Sequence, residues 1–119
     1  MRRIITGSGR KYGNKKTTIQ GVTFDSKAEA HYYLGLLADK QKGLIQDIEL
    51  QPEFVLQPNF KKNGVHYRAI IYQADFKVTY SDGRIEVIDV KGTPTQVFRL
   101  KHKMFEYVYP DLHLTIVEV

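Results

Sequence analysis

The sequence contains no cysteine and no apolar run long enough to cross a membrane. The first absence excludes disulfides, thiolate-bound zinc, iron–sulfur clusters and cysteine nucleophiles, and it is typical of a protein of the reducing cytoplasm. The basic start of the chain lacks the apolar segment that would make it a signal peptide. Because 42% of the 119 residues are apolar, the chain is not disordered, and we expect one soluble domain with its own core.

Acidic side chains are absent from the first 24 residues, which carry six basic ones: Arg2, Arg3, Arg10, Lys11, Lys15 and Lys16. The rest of the chain holds 12 basic and 13 acidic residues, so the net charge of +5 comes from the N-terminus. Several glycines there argue against regular structure. We therefore predict a flexible basic arm over residues 1–20, followed by a single domain over 21–119. Such an arm would bind the DNA phosphate backbone; the alternative is a solubilising terminus without contacts.

The order of apolar, turn and capping signals predicts an α/β fold, with a central mixed β-sheet flanked by helices. A first helix should run from Ser26 to about Gln41, and a second should follow Thr95, with apolar residues at helical spacing until Pro110. Residues 58–64 read as a polar, basic loop. The remaining segments read as strands: 22–24, 44–50, 53–57, 66–80 (one strand or two with a bend), 84–91 and 113–119. The segment 84–119 is then a strand–helix–strand unit, for which parallel pairing is the default.

Several common kinds of catalytic site have no basis in this sequence. The four histidines show no i, i+3 or i, i+4 pair, so a histidine-built metal site is not expected. No glycine-rich phosphate loop opens a helix, which argues against a nucleotide cofactor. There is also no Gly-x-Ser-x-Gly elbow, which removes the usual setting for a serine hydrolase.

Two carboxylates lie inside apolar strand segments, where an acid is costly unless it is paired or binds a cation. These are Asp75 and Asp89, on the two sides of the turn at residues 81–83. If that turn has three residues and ends at Gly83, Asp75 lies opposite Asp89 on one face of the sheet, with Cβ atoms about 4.5–5.5 Å apart. A two-residue turn would instead place the two acids on opposite faces. We favour the first register because glycine is common as the third residue of a bulged hairpin.

The combination of Asp75, a hairpin of 13 intervening residues, and Asp89-Val90-Lys91 resembles the core of the PD-(D/E)xK nuclease superfamily. Ala74 stands where the name of the superfamily has proline, a position that is loosely kept. The order of helix, sheet, motif hairpin, helix and last strand is similar too. The chain looks most like the small phage-type endonucleases and the resolvases of Holliday junctions or replication forks. The resemblance therefore implies a restriction-endonuclease-like core.

The resemblance also implies a Mg²⁺-dependent endonuclease, with Mn²⁺ as a substitute, that hydrolyses phosphodiester bonds in branched DNA during phage recombination or replication. Asp75, Asp89, the carbonyl of Val90 and Glu29 would hold the metal. Lys91, which projects from the same face as Asp89, would act electrostatically rather than as a general base. The expected partners are DNA and a second copy of the chain, with no membrane and no nucleotide cofactor. A phage-encoded protein of this kind would work in the cytoplasm of the host cell.

The role of Glu29 has two interpretations. Ser26-Lys27-Ala28-Glu29 is a capping box, in which the glutamate only helps to start the helix. The acid also falls within the apolar stripe of that helix, among Tyr32, Tyr33 and Leu36, which capping alone does not require. Members of the superfamily often supply a further acid from the first helix, so we predict that Glu29 belongs to the metal site.

The second helix carries a polar stripe at i, i+3 and i+7, formed by Gln96, Arg99 and Lys103. The resemblance implies phosphate contact here, whereas the plain interpretation is a solvated helix face. Two other functions remain open for the whole chain. It could be a nucleic-acid-binding module without catalysis, in which Asp75, Asp89 and Lys91 form a buried ion pair, or a structural phage protein that packs beside DNA.

Overall fold

The computed structural model of the protein describes residues 16–119, and the following elements lie within that range. The two helices are α1 (Lys27–Gln41) and α2 (Gln96–Val108). The strands are β1 (Thr17–Ile19), β2 (Val22–Phe24), β3 (Ile45–Leu50), β4 (Glu53–Gln57), β5 (Phe60–Lys62), β6 (Val65–Tyr67), β7 (Ile70–Gln73), β8 (Phe76–Tyr80), β9 (Ile85–Lys91) and β10 (His113–Glu118). No helix in this part of the chain is both long and apolar enough to cross a membrane.

A four-stranded sheet in the order β10-β9-β8-β3 forms the centre of the fold. Strands β3, β8 and β9 are antiparallel neighbours, whereas β10 runs parallel to β9. The sheet is therefore mixed, and with the two helices it confirms the predicted α/β class. The parallel pair is joined through α2, as the strand–helix–strand interpretation of residues 84–119 predicts.

Helix α1 covers one face of the central sheet. It begins as the sequence predicts, because Ser26 is the N-cap and its Oγ accepts a hydrogen bond from the Glu29 N–H at 3.1 Å. It ends before Gly43, whose φ of +86° suits a residue without a side chain. Tyr33 packs with Phe76 of β8 in the core on this face, their rings 6.0 Å apart.

Helix α2 and the two-stranded sheet β4–β7 cover the opposite face. Phe98 and Phe105 are the buried residues of α2, and they pack with Tyr72 of β7 and Val87 of β9. The apolar spacing that predicts α2 does not coincide with the buried face of the helix. Of the residues with that spacing, Phe105 is buried, whereas Val97, Leu100 and Val108 are exposed. Leu100 is 60% exposed, because the phenyl rings take the positions that point toward the sheet.

A shared bend divides one long antiparallel ladder into two sheets. Strands β3 and β4 are separated by Gln51 and Pro52, and their partners β8 and β7 are separated at the same level by Ala74 and Asp75. Hydrogen bonds cross the bend from the Gln51 N–H to the Asp75 carbonyl and from the Ala74 N–H to the Pro52 carbonyl. Strand β9 pairs with β8 and does not continue along β7. A gap therefore opens between β7 and β9 at Asp75, and we call this gap the fork.

Two short hairpins differ from the sequence prediction. Residues 17–19, assigned to the flexible arm, form β1 and pair with β2 across a turn in which Gln20 and Gly21 have positive φ. Residues 58–64, assigned to a loop, contain β5 and the Asn63-Gly64 turn that leads into β6. The segment 66–80 is therefore three strands rather than one or two. The rest of the predicted arm, residues 1–15, lies outside the described part of the chain.

Candidate active site

The site lies at the fork where β7 leaves the central sheet. The turn between β8 and β9 has the predicted three-residue register, because Phe76 pairs with Ile88 and the Tyr80 N–H donates to the Arg84 carbonyl. The ladder ends at the pair of Phe76 and Ile88, and Asp75, which directly precedes β8, donates its backbone N–H to the Ile88 carbonyl at 3.1 Å, so it lies next to Asp89 without pairing with it in the ladder. Both acids are buried, and their side chains are hydrogen-bonded to each other.

Asp89 is held by a tyrosine that the sequence analysis did not single out. The Tyr72 hydroxyl donates to Asp89 Oδ2 at 2.5 Å, and neither residue has any exposed surface. Burial and the neighbouring carboxylate of Asp89 raise the pKa of Tyr72 far above its usual range, so the hydroxyl keeps its proton. An aromatic residue on a strand is an ordinary core signal, so nothing local in the sequence marks Tyr72 as a partner of Asp89.

Lys91 lies beside Asp89 on the same face of β9. Its Nζ is 3.7 Å from Asp89 Oδ1 and 4.7 Å from the centre of the Phe98 ring on α2. The ring face attracts the ammonium group and restricts its stem, because a cation over an aromatic ring is favoured electrostatically. Helix α2 thus sets the position of the lysine, which is only 12% exposed.

The carboxyl group of Asp75 is held by one hydrogen bond and lies among other acidic groups. Its Oδ2 accepts a hydrogen bond from the Val90 N–H at 2.8 Å, which favours the charged form. Burial, followed by the nearby carboxyl groups of Asp89 and Glu29, outweighs that bond and raises the pKa of Asp75 to about 8. At neutral pH the metal-free protein therefore keeps most of its Asp75 side chains protonated, because a second negative charge next to Asp89 is unfavourable there.

Glu29 reaches the fork from the other face of the sheet. It is 2% exposed, and its carboxyl group lies close enough to Asp75 to raise the pKa of that residue. The structure contains a feature for each interpretation of Glu29. Its backbone N–H donates to the N-cap Ser26 at the start of the helix, and its side chain contributes charge to the fork. The Val90 carbonyl points to the same edge of β9 as its N–H, and hence toward Asp75.

An open pocket of roughly 440 Å³ adjoins these groups between α1 and the ends of β9 and β10. It is lined by Lys27, Ala28, His31, Tyr32, Val90, Val117 and Val119. Lys27 and His31 are exposed and supply nitrogen donors next to Val90. The sequence analysis did not assign them, since a lysine and a histidine in the first turns of a helix carry no signal of their own.

The residues of α2 that were predicted to contact phosphate lie outside the fork. Gln96, Arg99 and Lys103 are all exposed, on the side of α2 turned away from Phe98. Lys16 is exposed just before β1, and the other basic residues of the predicted arm, Arg2, Arg3, Arg10, Lys11 and Lys15, lie outside the described residues. A role of these side chains in DNA binding stays a prediction.

The donor set at the fork suits an oxygen-preferring divalent cation. In the part of the chain that the structure describes, no three or more His, Cys, Asp and Glu side chains form a ready-made metal cluster. The mutual repulsion that raises the pKa of Asp75 is nevertheless what a divalent cation would relieve. Carboxylate and carbonyl oxygens are the ligands that Mg²⁺ and Mn²⁺ prefer. The residues present therefore fit such an ion if the carboxyl groups of Asp75 and Asp89 separate to bind it.

Comparison with known proteins gives a family but no activity. Residues 9–119 match the family model described as protein of unknown function DUF1064. The chain belongs to this family. No significant match was found among curated proteins or among solved structures. The function of this DUF1064 protein has to be argued from the fork itself.

Proposed function

We propose that this protein is a metal-dependent endonuclease that hydrolyses phosphodiester bonds in DNA. The observation that carries the proposal is the pair of buried, adjacent carboxylates of Asp75 and Asp89 with Lys91 beside them. Strand and helix order supports it as well, since α1, the three antiparallel strands, α2 and β10 follow the order of the PD-(D/E)xK core. The expected substrate within this class is branched DNA.

Each residue of the fork has a role in this proposal. Asp75, Asp89 and the Val90 carbonyl would hold Mg²⁺, and Glu29 would complete the ligand set directly or through water. When bound, the ion polarises the phosphoryl group and lowers the pKa of a water molecule. Tyr72 orients Asp89 through its hydroxyl, which lets the carboxylate face the ion with its other oxygen.

Lys91 supplies positive charge on the substrate side of the site. Its ammonium group is fixed between Asp89 and Phe98, so little reorganisation is needed when negative charge grows on the phosphoryl oxygens. Preorganised donors of this kind contribute about 2.7–4 kcal/mol to other hydrolytic reactions, or a factor of 10²–10³ in rate. We assign Lys91 this electrostatic role rather than that of a base.

A binding module without catalysis is the competing function, and the Asp89–Lys91 ion pair is the observation that favours it. In that function the ion pair would only neutralise a buried acid. It leaves the second carboxyl unexplained, because an ion pair between Asp89 and Lys91 does not need Asp75, whose burial next to Asp89 is unfavourable for its charged form.

The test is cleavage of branched, duplex and single-stranded DNA with Mg²⁺ or with a chelator. We expect cleavage only with Mg²⁺, strongest on branched DNA, and loss of at least about 10³-fold in Asp89→Asn. Lys91→Ala should lose about 10²-fold or more. Lys77→Ala is the matched control, since Lys77 stands two residues after Asp75 as Lys91 stands two after Asp89, and it should cleave as the native chain does.

DNA binding decides between the two functions. Asp89→Asn should bind DNA nearly as well as the native protein in the absence of Mg²⁺, because the substitution removes a ligand to the metal rather than a contact to DNA. Intact binding together with no cleavage of any substrate by the native chain would favour the non-catalytic module. Equal cleavage by Asp89→Asn and the native protein would contradict the proposed site.

A further inference from the structure

The hairpin formed by β5 and β6 contributes nothing to the core. Residues 57–68 are all exposed, an unbroken run of twelve. Strands β5 and β6 pair with each other, and no other described helix or strand packs extensively on them. We call residues 58–69 the basic hairpin. Isolated hairpins have only marginal stability in water. A hairpin that buries no side chain is therefore not explained by packing of the core.

The backbone of the basic hairpin is nevertheless well defined. Asn63 and Gly64 have φ of +52° and +77°, the combination that matches the twist of two paired strands in a two-residue turn. At its base, the rings of Phe60 and Tyr67 stack at 4.8 Å with an angle of 14° between their planes. The rings face each other, so the pair stiffens the base of the hairpin instead of offering a free surface for stacking on a base.

Charge distinguishes this hairpin from the rest of the described chain. Basic and acidic residues are equal in number over residues 16–119, yet the basic hairpin carries Lys61, Lys62 and Arg68 and no acid. Lys61 lies opposite His66 on one face of the hairpin, and Arg68 follows directly after β6. These nitrogen donors stand in a hairpin without an acidic residue, which is complementary to a phosphate backbone.

The lengths of the strands limit the distance between the hairpin and the fork. Strand β7 ends next to Asp75 at Gln73 and begins at Ile70, where the basic hairpin leaves it. At about 3.3 Å per residue, the hairpin starts no more than roughly 16 Å from Asp75, and β6 can extend this reach by about 10 Å. With 3.4 Å per base pair, that interval corresponds to about 5–8 base pairs of duplex.

We infer that the basic hairpin is a second DNA-binding element, which contacts the backbone of duplex DNA about 5–8 base pairs from the bond at the fork. Lys61, His66 and Arg68 face the phosphates. The ligand is duplex because a two-stranded ribbon has the dimensions of a DNA groove. The inference rests on the proposed function for its ligand, DNA, and not on any metal or cleavage step.

The test is binding of fluorescent DNA to the full chain in the presence of a chelator. On a duplex of about 30 base pairs, Lys61→Ala/Arg68→Ala should weaken affinity at least about tenfold and reduce the slope of log K against log salt by roughly two. The matched control is Lys40→Ala/Lys42→Ala, which removes two exposed cations at the end of α1, beside the Ser81 turn and away from the fork. It should stay within about twofold of the native affinity.

Shortening the duplex tests the position of the hairpin. Below about 5 base pairs the DNA cannot reach from the fork to the hairpin, so the native protein and Lys61→Ala/Arg68→Ala should bind equally. Three results would overturn the inference. The variant could lose the same affinity at every duplex length, or it could bind long duplex as the native protein does. The control variant could also lose as much affinity as Lys61→Ala/Arg68→Ala. If the variant loses affinity only on long duplexes and the native protein does not cleave DNA in Mg²⁺, the result supports the role of the hairpin and contradicts the proposed catalysis. If the native protein cleaves DNA but the variant keeps its affinity, the result supports the catalysis and contradicts the role of the hairpin.

Discussion

The carboxyl group of Asp75 is buried, and the carboxyl groups of Asp89 and Glu29 lie nearby. The unfolded chain leaves this group at its usual pKa of 3.8, whereas burial and the charges of Asp89 and Glu29 raise it to about 8 in the folded protein. Between these two values the folded state keeps a proton that the unfolded state has lost. The contribution of Asp75 to stability is therefore fully present below about pH 4 and is lost as the pH rises through about 8.

This shift gives a prediction for the metal-free protein. We expect the free energy of unfolding to fall by up to about 1.4 kcal/mol per pH unit between pH 5 and 8, measured by urea denaturation with a chelator present. Asp75→Asn removes the titrating group and should flatten this dependence. It should also make the protein more stable than the native chain at pH 8. Parallel curves for the two proteins would contradict the electrostatic account of Asp75.

Tyr72 offers a second test at the scale of one residue. Tyr72→Phe removes the hydroxyl that orients Asp89, so we expect a loss of about 1–2 kcal/mol in stability and a higher Mg²⁺ requirement for cleavage, with KM for DNA unchanged. Tyr80→Phe is the matched control, because the Tyr80 hydroxyl donates at 2.5 Å to Glu86, away from the fork. It should lose stability only. The same Mg²⁺ dependence in both variants would show that Tyr72 does not position Asp89.

Among the elements, the hairpin of β8 and β9 was predictable in detail. A strand, the turn ending at Gly83 and a second strand determine a register through local chemistry, and the ladder has that register from Thr79 to Phe76. Asp75 lies just before this ladder, and its side chain interacts with that of Asp89. The basic hairpin was missed although Asn63-Gly64 is a strong local hairpin signal, because its flanking strands are polar and short. The sequence predicts separate strands over 44–50 and 53–57, on either side of Pro52, but nothing in it indicates that the partner strand is interrupted at Ala74.

Helix α2 shows why the apolar spacing alone did not identify the buried face. Phe105 is fully buried, whereas Leu100 is 60% exposed. We predict that Phe105→Ala lowers the free energy of unfolding by about 3–5 kcal/mol, while Leu100→Ala changes it by no more than about 0.5 kcal/mol. Thermal or urea unfolding of both variants measures the difference. Similar losses would indicate that the helix is rotated relative to the described structure.

For the whole molecule, the proposed metal site predicts that divalent cations stabilise the fold. At pH 8, Mg²⁺ at about 100 times its dissociation constant should stabilise the protein by roughly 2.7 kcal/mol, visible as a rise in Tm. The rise should disappear in Asp89→Asn and persist in Asp82→Asn, which changes an exposed acid in the turn of the same hairpin. An equal rise in all three proteins would point to non-specific binding of the ion.

The expected assembly is a further property of the whole molecule. The resemblance implies a homodimer with two sites on one DNA branch, so light scattering after size exclusion should give twice the chain mass of 13.8 kDa. The measurement needs a dilution series, because a weak dimer dissociates at low concentration. A single chain mass at every concentration would contradict this expectation.

The sequence by itself determined the class of fold, the limits of α1 and the register of the hairpin formed by β8 and β9. Those features depend on caps, turns and strand alternation, which act over a few residues. Only the tertiary structure decided that Tyr72 would hold Asp89, that Phe98 would lie under Lys91, and that Glu29 would reach the fork from the opposite face. These contacts join residues far apart in the chain, and local spacing carries no information about which distant segments pack together.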